Sequence, residues 1–289
     1  MIVLDWPDEY THIIFCDVGQ GDSILIYQGF NQILIDAGAN SASRECLDKY
    51  LPFWDKKVEL AVTTHADKDH IGGFESVFKE FYIEKMIMGE YGKETGVFNT
   101  FREAILREKK DGLELVDPYL FPTIELAEKI KLITLSTWGR EADFSLFDPE
   151  KTETELWDII KTQTQFLKES KQTHNSLSVV NLLEVGNVKI LLTGDLDLEG
   201  EQALLEAGLI TKVDILKVGH HGSKTSTSSQ FLKALSPEIS IISVGKKNSY
   251  NHPSLETLQS LRDFGSEIWR TDEAGDVEIV SDGERYWLE

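Results

Sequence analysis

Apolar and β-branched residues gather in short segments along the chain, and turn-forming residues separate these segments. Segments that are too short for a helix and are bounded by glycine, asparagine or aspartate predict buried strands. Longer segments with apolar residues at helical spacing predict helices between them. The order of these elements predicts two sheets packed face to face with helices outside. The expected strands cover residues 11–17, 22–27, 32–36, 58–63, 82–88, 131–136, 187–192, 213–218, 238–244 and 267–270. The expected helices cover residues 41–51, 74–81, 97–110, 153–169, 198–207, 231–235 and 255–264.

The densest group of ionisable residues follows the fourth expected strand. Residues 64–73 read Thr-His-Ala-Asp-Lys-Asp-His-Ile-Gly-Gly and carry two imidazoles and two carboxylates. Extended geometry places His65 and Asp67 on one side of the chain. Asp69 and His70 then open a helix, where a carboxylate can also cap free N–H groups. All four side chains are ordinary ligands of zinc or manganese, so the segment predicts a metal site rather than a solvated, capping loop.

The pattern His-x-Asp-x-Asp-His resembles the His-x-His-x-Asp-His motif of the metallo-β-lactamase superfamily, with Asp67 in place of the second histidine. This form is similar to the hydrolase domain at the end of the ComEC/Rec2 competence proteins and to related phosphodiesterases. Residues 15–26, which include Asp-Val-Gly-Gln-Gly-Asp, and residues 33–38 resemble the opening of the same domain. The resemblance covers about residues 11–90 and 173–282. It implies a metallo-β-lactamase-like αββα four-layer sandwich of the α/β class.

The central span of residues 90–172 matches none of the motifs of the resembled family. It carries the helical patterns at 97–110 and 153–169 and the strand pattern at 131–136. Two interpretations stay open for it: an insertion beside the active-site cleft, or ordinary sandwich elements joined by long loops. In either case we expect residues 1–289 to form a single metallo-hydrolase domain.

Three downstream motifs supply the remaining metal ligands that the resemblance implies. His174 precedes a serine by four residues, the spacing of a metal-binding histidine in the wider superfamily, although a plain loop histidine is the alternative. Asp195 ends the buried strand Leu-Leu-Thr-Gly-Asp, where the superfamily has a carboxylate that bridges two metals through its two oxygens. In His-His-Gly-Ser-Lys-Thr-Ser at residues 220–226, His221 is expected to complete the second metal site, and His220 is the alternative.

The resemblance therefore implies two divalent metal ions with Asp195 between them, and further residues that act on a phosphate. His252, in a His-Pro segment, is open to three roles, as a phosphate ligand, a proton donor or a metal ligand; a role toward the substrate is favoured because other motifs fill both metal sites. Asp69 is expected to orient the attacking hydroxide as well as to bind metal. The expected first site consists of His65, Asp67 and His174, and the expected second site of Asp69, His70 and His221. The expected catalytic residues are Asp69, His220, Lys224 and His252.

Hydrolysis of a phosphodiester is the reaction that the resemblance implies, with a metal-bound hydroxide as the attacking group. The first hypothesis is a nuclease. The second hypothesis keeps the site and changes the substrate to a small phosphodiester, such as a phosphorylcholine ester or a cyclic nucleotide. The third is a non-catalytic binding module on the same fold, and the retained ligand set argues against it. Zinc is the expected metal, and manganese is the alternative because Asp67 adds an oxygen ligand.

The net charge of −21 changes the expected partners. Such a surface repels nucleic acid at long range, so it opposes a DNA-coating role and favours a small substrate. It still allows a nuclease, because a metal site with nearby lysines can bind phosphate locally. Lys246 and Lys247 are candidates for that local charge, with a solvated loop as the alternative. Nucleic acid or a small phosphodiester is thus the expected partner, and the question of protein partners stays open.

The compartment is predicted from what the chain lacks. Its longest apolar runs are far too short to cross a membrane, and no basic segment followed by an apolar one opens the chain as a secretion signal would. The two cysteines, Cys16 and Cys46, are too few for a disulfide framework in a chain of 289 residues, so they are expected to stay reduced. A cytoplasmic protein without a membrane partner is therefore expected.

Overall fold

The computed structural model describes residues 8–89, 95–116, 118, 122–127, 129–135 and 175–289. Within these ranges the chain forms two sheets that pack face to face, as the strand pattern predicts. The strands are β1 Thr11–Phe15, β2 Ile24–Gln28, β3 Asn31–Ile35, β4 Lys57–Thr63, β5 Tyr82–Met88, β6 Glu114–Leu115, β7 Thr123–Ala127, β8 Ile130–Thr134, β9 Asn181–Val185, β10 Val188–Leu192, β11 Ile215–Lys217, β12 Ile239–Ile242, β13 Glu267–Arg270, β14 Val277–Ser281 and β15 Tyr286–Leu288.

Each sheet joins antiparallel strands to a parallel set. The first sheet has the order β15-β14-β1-β2-β3-β4-β5-β6, and its strands β3 to β6 are parallel. The second sheet has the order β13-β12-β11-β10-β9-β8-β7, and its strands β10 to β13 are parallel. Parallel neighbours need a crossover between them, which explains why helices alternate with these strands along the chain.

Helices cover the outer face of each sheet and complete four layers. Helices α1 to α4 pack on the first sheet, and α5 to α7 pack on the second. Aromatic and branched side chains fill both of these helix–sheet layers. The helices are α1 Ala42–Tyr50, α2 Lys68–Ile71, α3 Phe74–Phe78, α4 Gly96–Lys110, α5 Leu198–Glu206, α6 Ser229–Leu235, α7 Leu255–Asp263 and α8 Thr271–Ala274.

Strand β1 shows why its residues form a strand that is buried on both faces. Ile13 and Phe15 point into the core between the two sheets, whereas Ile14 points to the helices outside. Successive side chains of a strand point to opposite faces, so a run of apolar residues satisfies both cores at once. Because both faces of β1 are buried, residues 13–15 are all apolar in the sequence.

The parallel strands place their carboxyl ends at one edge of the sandwich. In an α/β sheet the loops that leave these ends form the ligand-binding crevice. Here the loops after β4, β10, β11 and β12 carry the described residues to which the sequence analysis assigns a metal or catalytic role. The fold therefore brings motifs from both halves of the chain together at this edge.

The helix expected over residues 74–81 is preceded by a separate short one. Helix α2 covers Lys68–Ile71 and α3 covers Phe74–Phe78, with two glycines between them. A Cβ on Gly72 would lie 2.6 Å from the carbonyl oxygen of Ala39, and a Cβ on Gly73 would clash with the carbonyl oxygen of Ala37. The glycines thus let the helical segment lie directly on the loop that follows β3.

The described part of the span 90–172 contributes to both sheets. Its helical pattern forms α4, and its strand pattern forms β8. Strand β6 extends the first sheet, and β7 pairs with β8 at the edge of the second. These segments are thus ordinary sandwich elements, whereas the expected helix at 153–169 lies outside the described residues.

Cys16 and Cys46 form a disulfide, so the expectation that both stay reduced is wrong. Both are buried, and their Cα atoms are 6.2 Å apart, within the usual span of a disulfide. The bond ties the end of β1 to α1 across 30 residues of chain. Because disulfides are rare in the reducing cytosol, the cysteine content gives no support to the expected cytoplasmic location. None of the helices in the described part of the chain has the length and hydropathy that a bilayer crossing requires.

Removing this disulfide should destabilise the fold. For a closed loop of this length, the loss of the cross-link is expected to lower the free energy of unfolding by about 3.7 kcal/mol, chiefly because the unfolded chain gains conformational entropy. The measurement is urea unfolding of the Cys16→Ala/Cys46→Ala variant and of the wild-type protein, each with and without reductant. The wild type should lose stability on reduction, whereas the variant should not respond. A wild-type midpoint that reductant leaves in place would contradict the prediction.

Candidate metal centre

The loop after β4 brings two histidines side by side beneath the surface. His65 and His70 are buried, and their ring centroids lie 4.1 Å apart. His65 follows the end of β4, and His70 lies within α2. Asp67 and Asp69, which alternate with them, are partly exposed. The loop therefore presents two buried imidazoles with two carboxylates at their rim, as the spacing predicts.

Asp195 lies at the centre of this group and faces different residues with its two oxygens. Its Oδ1 lies 3.3 Å from the Nε2 atoms of both His70 and His221. Its Oδ2 lies 3.8 Å from the Nε2 atoms of both His65 and His220. A carboxylate oriented in this way can serve two neighbouring cations.

Each oxygen of Asp195 is accompanied by a further carboxylate. Asp69 Oδ2 lies 3.5 Å from Nε2 of His221, on the Oδ1 side. Asp67 Oδ2 lies 3.8 Å from Nε2 of His65, on the Oδ2 side. Each side thus combines imidazole nitrogens with carboxylate oxygens, a mixed donor set that suits zinc and also manganese.

Several buried polar atoms of the centre are arranged to bind a metal ion and do not form hydrogen bonds with the described residues. The Nε2 atoms of His65, His70 and His221 and the Oδ1 atom of Asp195 are buried without a hydrogen-bond partner among the described residues. Buried polar atoms without partners are rare because each costs free energy. Four of them directed at one space therefore mark a place for cations.

Hydrogen bonds at the other ring nitrogen leave these three Nε2 atoms free to bind a metal. Nδ1 of His70 donates to Oδ2 of Asp36 at 2.7 Å, and Nδ1 of His221 donates to the carbonyl oxygen of Ser243 at 2.9 Å. The Thr64 hydroxyl donates to Asp36, so it accepts from Nδ1 of His65 at 3.1 Å. A neutral imidazole with its proton on Nδ1 offers the lone pair of Nε2 to a metal.

The double-histidine turn after β11 depends on an uncommon backbone conformation. His220 has φ 46° and His221 has φ 53°, so both lie in the left-handed region. That region costs free energy for residues other than glycine, and it is found where function requires it. Here the turn lets two adjacent side chains reach opposite oxygens of Asp195.

His220 differs from the other three histidines in the group that it contacts. The amide Nδ2 of Asn175 lies 3.0 Å from Nδ1 and 3.4 Å from Nε2 of its ring, so one donor group faces both ring nitrogens. Nε2 of His220 in turn lies 3.8 Å from Oδ2 of Asp195. His220 is therefore held beside the centre by Asn175, whereas His65, His70 and His221 present a lone pair to it.

Asp22 and Lys217 form a buried ion pair directly behind the histidines. Lys217 is fully buried and contacts Asp22, and its ammonium also donates to the carbonyl oxygen of Gly194 at 2.9 Å. Asp22 Oδ1 lies 3.4 Å from Nδ1 of His221. Removal of one partner from such a pair leaves an uncompensated charge and costs ~3–5 kcal/mol. The pair thus holds the loop after β1 against the end of β10, next to Asp195.

The charges of the centre shift the pKa values of its histidines in opposite directions. Burial, together with neighbouring His70, lowers the pKa of His65 to about 3, so this ring stays neutral. Burial also lowers the pKa of His221, but the Asp195 and Asp22 carboxylates outweigh it and raise that pKa to about 9. Asp195 and Asp36 likewise raise the pKa of His70 well above its ordinary value, against the effect of burial. A metal ion must therefore displace protons from His70 and His221 when it binds.

The remaining predicted residues lie at the mouth of the centre or outside the described chain. The His252 ring is half-buried and lies 5.6 Å from the His220 ring, measured between centroids. Burial lowers its pKa, so it is neutral near pH 7. Lys224 is exposed in the loop that follows the double-histidine turn. His174 lies outside the described residues, and its expected place in the first metal site stays a prediction.

Sequence reasoning missed three residues of the centre. Asp36 ends an expected strand, and it accepts hydrogen bonds from both His70 and Thr64. Asp22 follows two glycines in the segment 15–26 and pairs with Lys217. Lys217 lies within an apolar expected strand, and a lysine at such a buried position is itself a signal that it has a charged partner.

Comparison with known proteins agrees with this geometry. The family model of the metallo-beta-lactamase superfamily matches residues 16–246. ComE operon protein 3 of Bacillus subtilis (strain 168) is 28% identical over 284 residues, which cover 91% of this chain and 32% of that protein. Recombination protein 2 of Haemophilus influenzae (strain ATCC 51907 / DSM 11121 / KW20 / Rd) is 27% identical over 272 residues, covering 91% of this chain and 28% of that protein. The chain thus spans about a third of the length of these relatives.

A solved structure shares the fold at low sequence identity. Igni18, a metallo hydrolase from the hyperthermophilic archaeon Ignicoccus hospitalis KIN4/I, superposes with a TM-score of 0.54 and 13% identity. The match covers 92% of this chain and 98% of that one. The predicted resemblance to the superfamily and to the competence proteins, and the predicted four-layer sandwich, are thereby confirmed.

Replacing Asp36 by asparagine should weaken metal binding without removing a ligand. The amide keeps the volume but loses the charge that orients Nδ1 of His70, and such changes behind a ligand cost roughly 10- to 100-fold in metal affinity. The measurement is zinc affinity of Asp36→Asn by competition with a chromophoric chelator, with circular dichroism to check folding. Asp263→Asn on exposed α7 is the matched control. An affinity equal to that of the control would show that Asp36 does not position His70.

Proposed function

This chain belongs to the metallo-β-lactamase superfamily, and from that premise we propose that it is a metal-dependent phosphodiesterase that acts as a nuclease. The observation that carries the proposal is the orientation of Asp195, whose two oxygens face two separate sets of donors. Two adjacent cation sites are the arrangement used to clamp both sides of a phosphoryl group during displacement.

The chain's own residues divide between two metal ions. His65 and Asp67 would hold one ion together with Oδ2 of Asp195. The proposed ligands of the other ion are Asp69, His70 and His221, together with Oδ1 of Asp195. Zinc is the first choice for these imidazoles, and the carboxylates also suit manganese. When bound, the ions polarise phosphoryl oxygens and lower the pKa of a coordinated water.

His220 is proposed as a proton donor to the leaving oxygen. Asn175 holds the edge of its ring, and Nε2 lies 3.8 Å from Oδ2 of Asp195 at the inner wall of the centre. Proton transfer from such a positioned side chain contributes roughly 10²–10⁴-fold to the rate.

His252 and Lys224 are proposed to hold the phosphate before and during the reaction. The half-buried ring of His252 lies 5.6 Å from the ring of His220 between centroids, which places it beside the space in front of the centre. Lys224 adds a mobile positive charge at the rim. Asp69 reaches both the second metal site and the open space in front of it, so it is also proposed to orient the attacking water.

Nucleic acid is the substrate that the relatives favour. One of them is named a recombination protein, and recombination acts on DNA. The second candidate is a small phosphodiester, such as a phosphorylcholine ester or a cyclic nucleotide. The net charge of −21 favours that candidate, because an acidic surface repels a long polyanion.

The two substrates are separated by hydrolysis assays with linear DNA, RNA and a chromogenic phosphodiester. The protein is first reconstituted with zinc or manganese, and a chelator serves as the control. Failure on all three would contradict the proposal.

Asp195→Asn should abolish hydrolysis and weaken metal binding while the fold persists. The amide keeps the volume of the side chain but removes the charge that two cations would share. Substitution of a residue that only supports a ligand already lowers metal affinity or activity by roughly 10- to 100-fold. Substitution of the ligand Asp195 itself should therefore lower them by more than about 100-fold. The measurement is kcat on the chromogenic phosphodiester beside metal content by elemental analysis. Wild-type rates at saturating metal would show that Asp195 bridges no metals.

Substitution of His221 should change the metal content, whereas substitution of His220 or His252, which are proposed to act on the substrate, should not. His221→Ala should lose metal, because it removes a ligand. His220→Ala and His252→Ala should keep the metal and lose roughly 10²–10⁴-fold in kcat, because they act on the substrate. The measurement is metal stoichiometry beside kcat for the three variants. If His252→Ala loses metal and His221→Ala keeps both ions, the two roles are reversed.

A further inference from the structure

An exposed aromatic ring stands at the mouth of the metal centre. Tyr250, in the loop between β12 and α7, is 63% exposed. Its ring lies nearly parallel to the ring of His252, with 16° between the planes and 5.8 Å between the centroids. The His252 ring is in turn 5.6 Å from the ring of His220, whose Nε2 faces Asp195. A series of three rings therefore leads from solvent to the metal centre.

The loop that carries Tyr250 is braced by one side chain. Oδ1 of Asn248 accepts from the backbone N–H groups of Tyr250 at 3.1 Å and His252 at 3.0 Å. Its Nδ2 donates to the carbonyl oxygens of Gly245 at 2.9 Å and His252 at 2.8 Å. A Cβ on Gly245 would lie only 2.6 Å from the backbone nitrogen of Gln20, so the loop also packs closely on its neighbour. Because the ring is held in place beforehand, a ligand that stacks on it loses little conformational entropy.

Positive charge collects in the loops around the same mouth. Lys246 and Lys247 precede Tyr250 in its loop, and Lys224 follows the double-histidine turn. All three are exposed, and no carboxylate within the described ranges pairs with them. In a chain with a net charge of −21, this local excess favours a ligand that carries several phosphates.

A free aromatic face beside phosphate-attracting lysines is typical of proteins that bind single-stranded nucleic acid. The bases of a duplex are already stacked on one another, so a duplex offers no free base to such a ring. Resting on the phosphodiesterase function proposed above, we propose that Tyr250 is the platform on which an unpaired nucleobase beside the scissile phosphate stacks. The preferred substrate is then a single-stranded nucleic acid, rather than a duplex or a phosphodiester without a base.

The test compares a strand that has bases with one that lacks them. Fluorescence anisotropy measures the affinity of the full chain for a labelled oligothymidylate and for an abasic strand of the same length and charge. The measurements use the Asp195→Asn background, so that neither strand is cut. Tyr250→Ala should weaken binding of the oligothymidylate about 5- to 150-fold and leave the weaker binding of the abasic strand as it was.

Two control variants isolate the stacking face. Tyr250→Phe keeps the ring and should bind the oligothymidylate nearly as tightly as the parent protein. Phe53→Ala removes another exposed aromatic side chain and should change neither affinity. Phe53 lies in the turn before β4, at the opposite end of that strand from the site. Equal weakening on both strands by Tyr250→Ala, or no weakening on either, would overturn the proposal. The proposal would also be overturned if the parent protein bound a blunt duplex as tightly as it binds the oligothymidylate.

Cleavage is measured separately, with wild-type protein reconstituted with zinc or manganese. Cleavage of the oligothymidylate with a lower KM than that of the abasic strand supports the platform. If neither strand nor a chromogenic phosphodiester is cut, the proposed phosphodiesterase function fails. The anisotropy comparison still decides on Tyr250 in that case, because it requires no catalysis.

Discussion

The buried carboxylate of Asp195 is the group on which the rest of the site depends. A buried charge costs several kcal/mol unless partners compensate for it. Around Asp195 the partners are imidazoles, and their attraction lowers its pKa well below the ordinary value despite burial. Both sheets determine the position of Asp195 through its neighbour Gly194. From the first sheet, Thr64 of the loop after β4 lies against Gly194, which has φ 54°. From the second sheet, Lys217 of β11 donates to the carbonyl oxygen of Gly194. The packing of the two sheets therefore sets the orientation of one carboxylate, and the four histidines are arranged around it.

The histidines of the site acquire different chemistry from the partners at their far nitrogens. Asp36, Thr64 and Ser243 accept from Nδ1, so three rings direct a lone pair inward. The fourth ring, that of His220, instead has the Asn175 amide 3.0 Å from Nδ1 and 3.4 Å from Nε2. The three hydrogen bonds behind His65, His70 and His221 thus prepare those rings to hold a cation, whereas His220 is held beside Asp195 by an amide.

Four lysines of this strongly acidic chain, Lys217, Lys224, Lys246 and Lys247, lie in or beside the site. Lys217 is buried behind the centre, where it neutralises Asp22 and supports the loop after β1. The exposed lysines lie in the loops at the mouth, beside the ring of Tyr250. The outer surface and the mouth thus act differently on a polyanion: the long-range field repels it, whereas local contacts retain a phosphate that reaches the centre. This contrast is compatible with the single-stranded substrate proposed above.

The sequence by itself determined most of the described strands and helices, the superfamily and the group of candidate ligands in the loop after β4. Hydrophobic periodicity and a short metal-binding motif are local properties, and neighbouring residues suffice to specify them. Only the tertiary structure decided that Asp36 orients His70, that Lys217 pairs with Asp22 and that Cys16 pairs with Cys46. These contacts join residues far apart in the chain, and they exist because the sheets and their covering helices pack in one register. The Nδ1 partners of His70 and His221 were decided in the same way, since Asp36 and Ser243 belong to other loops.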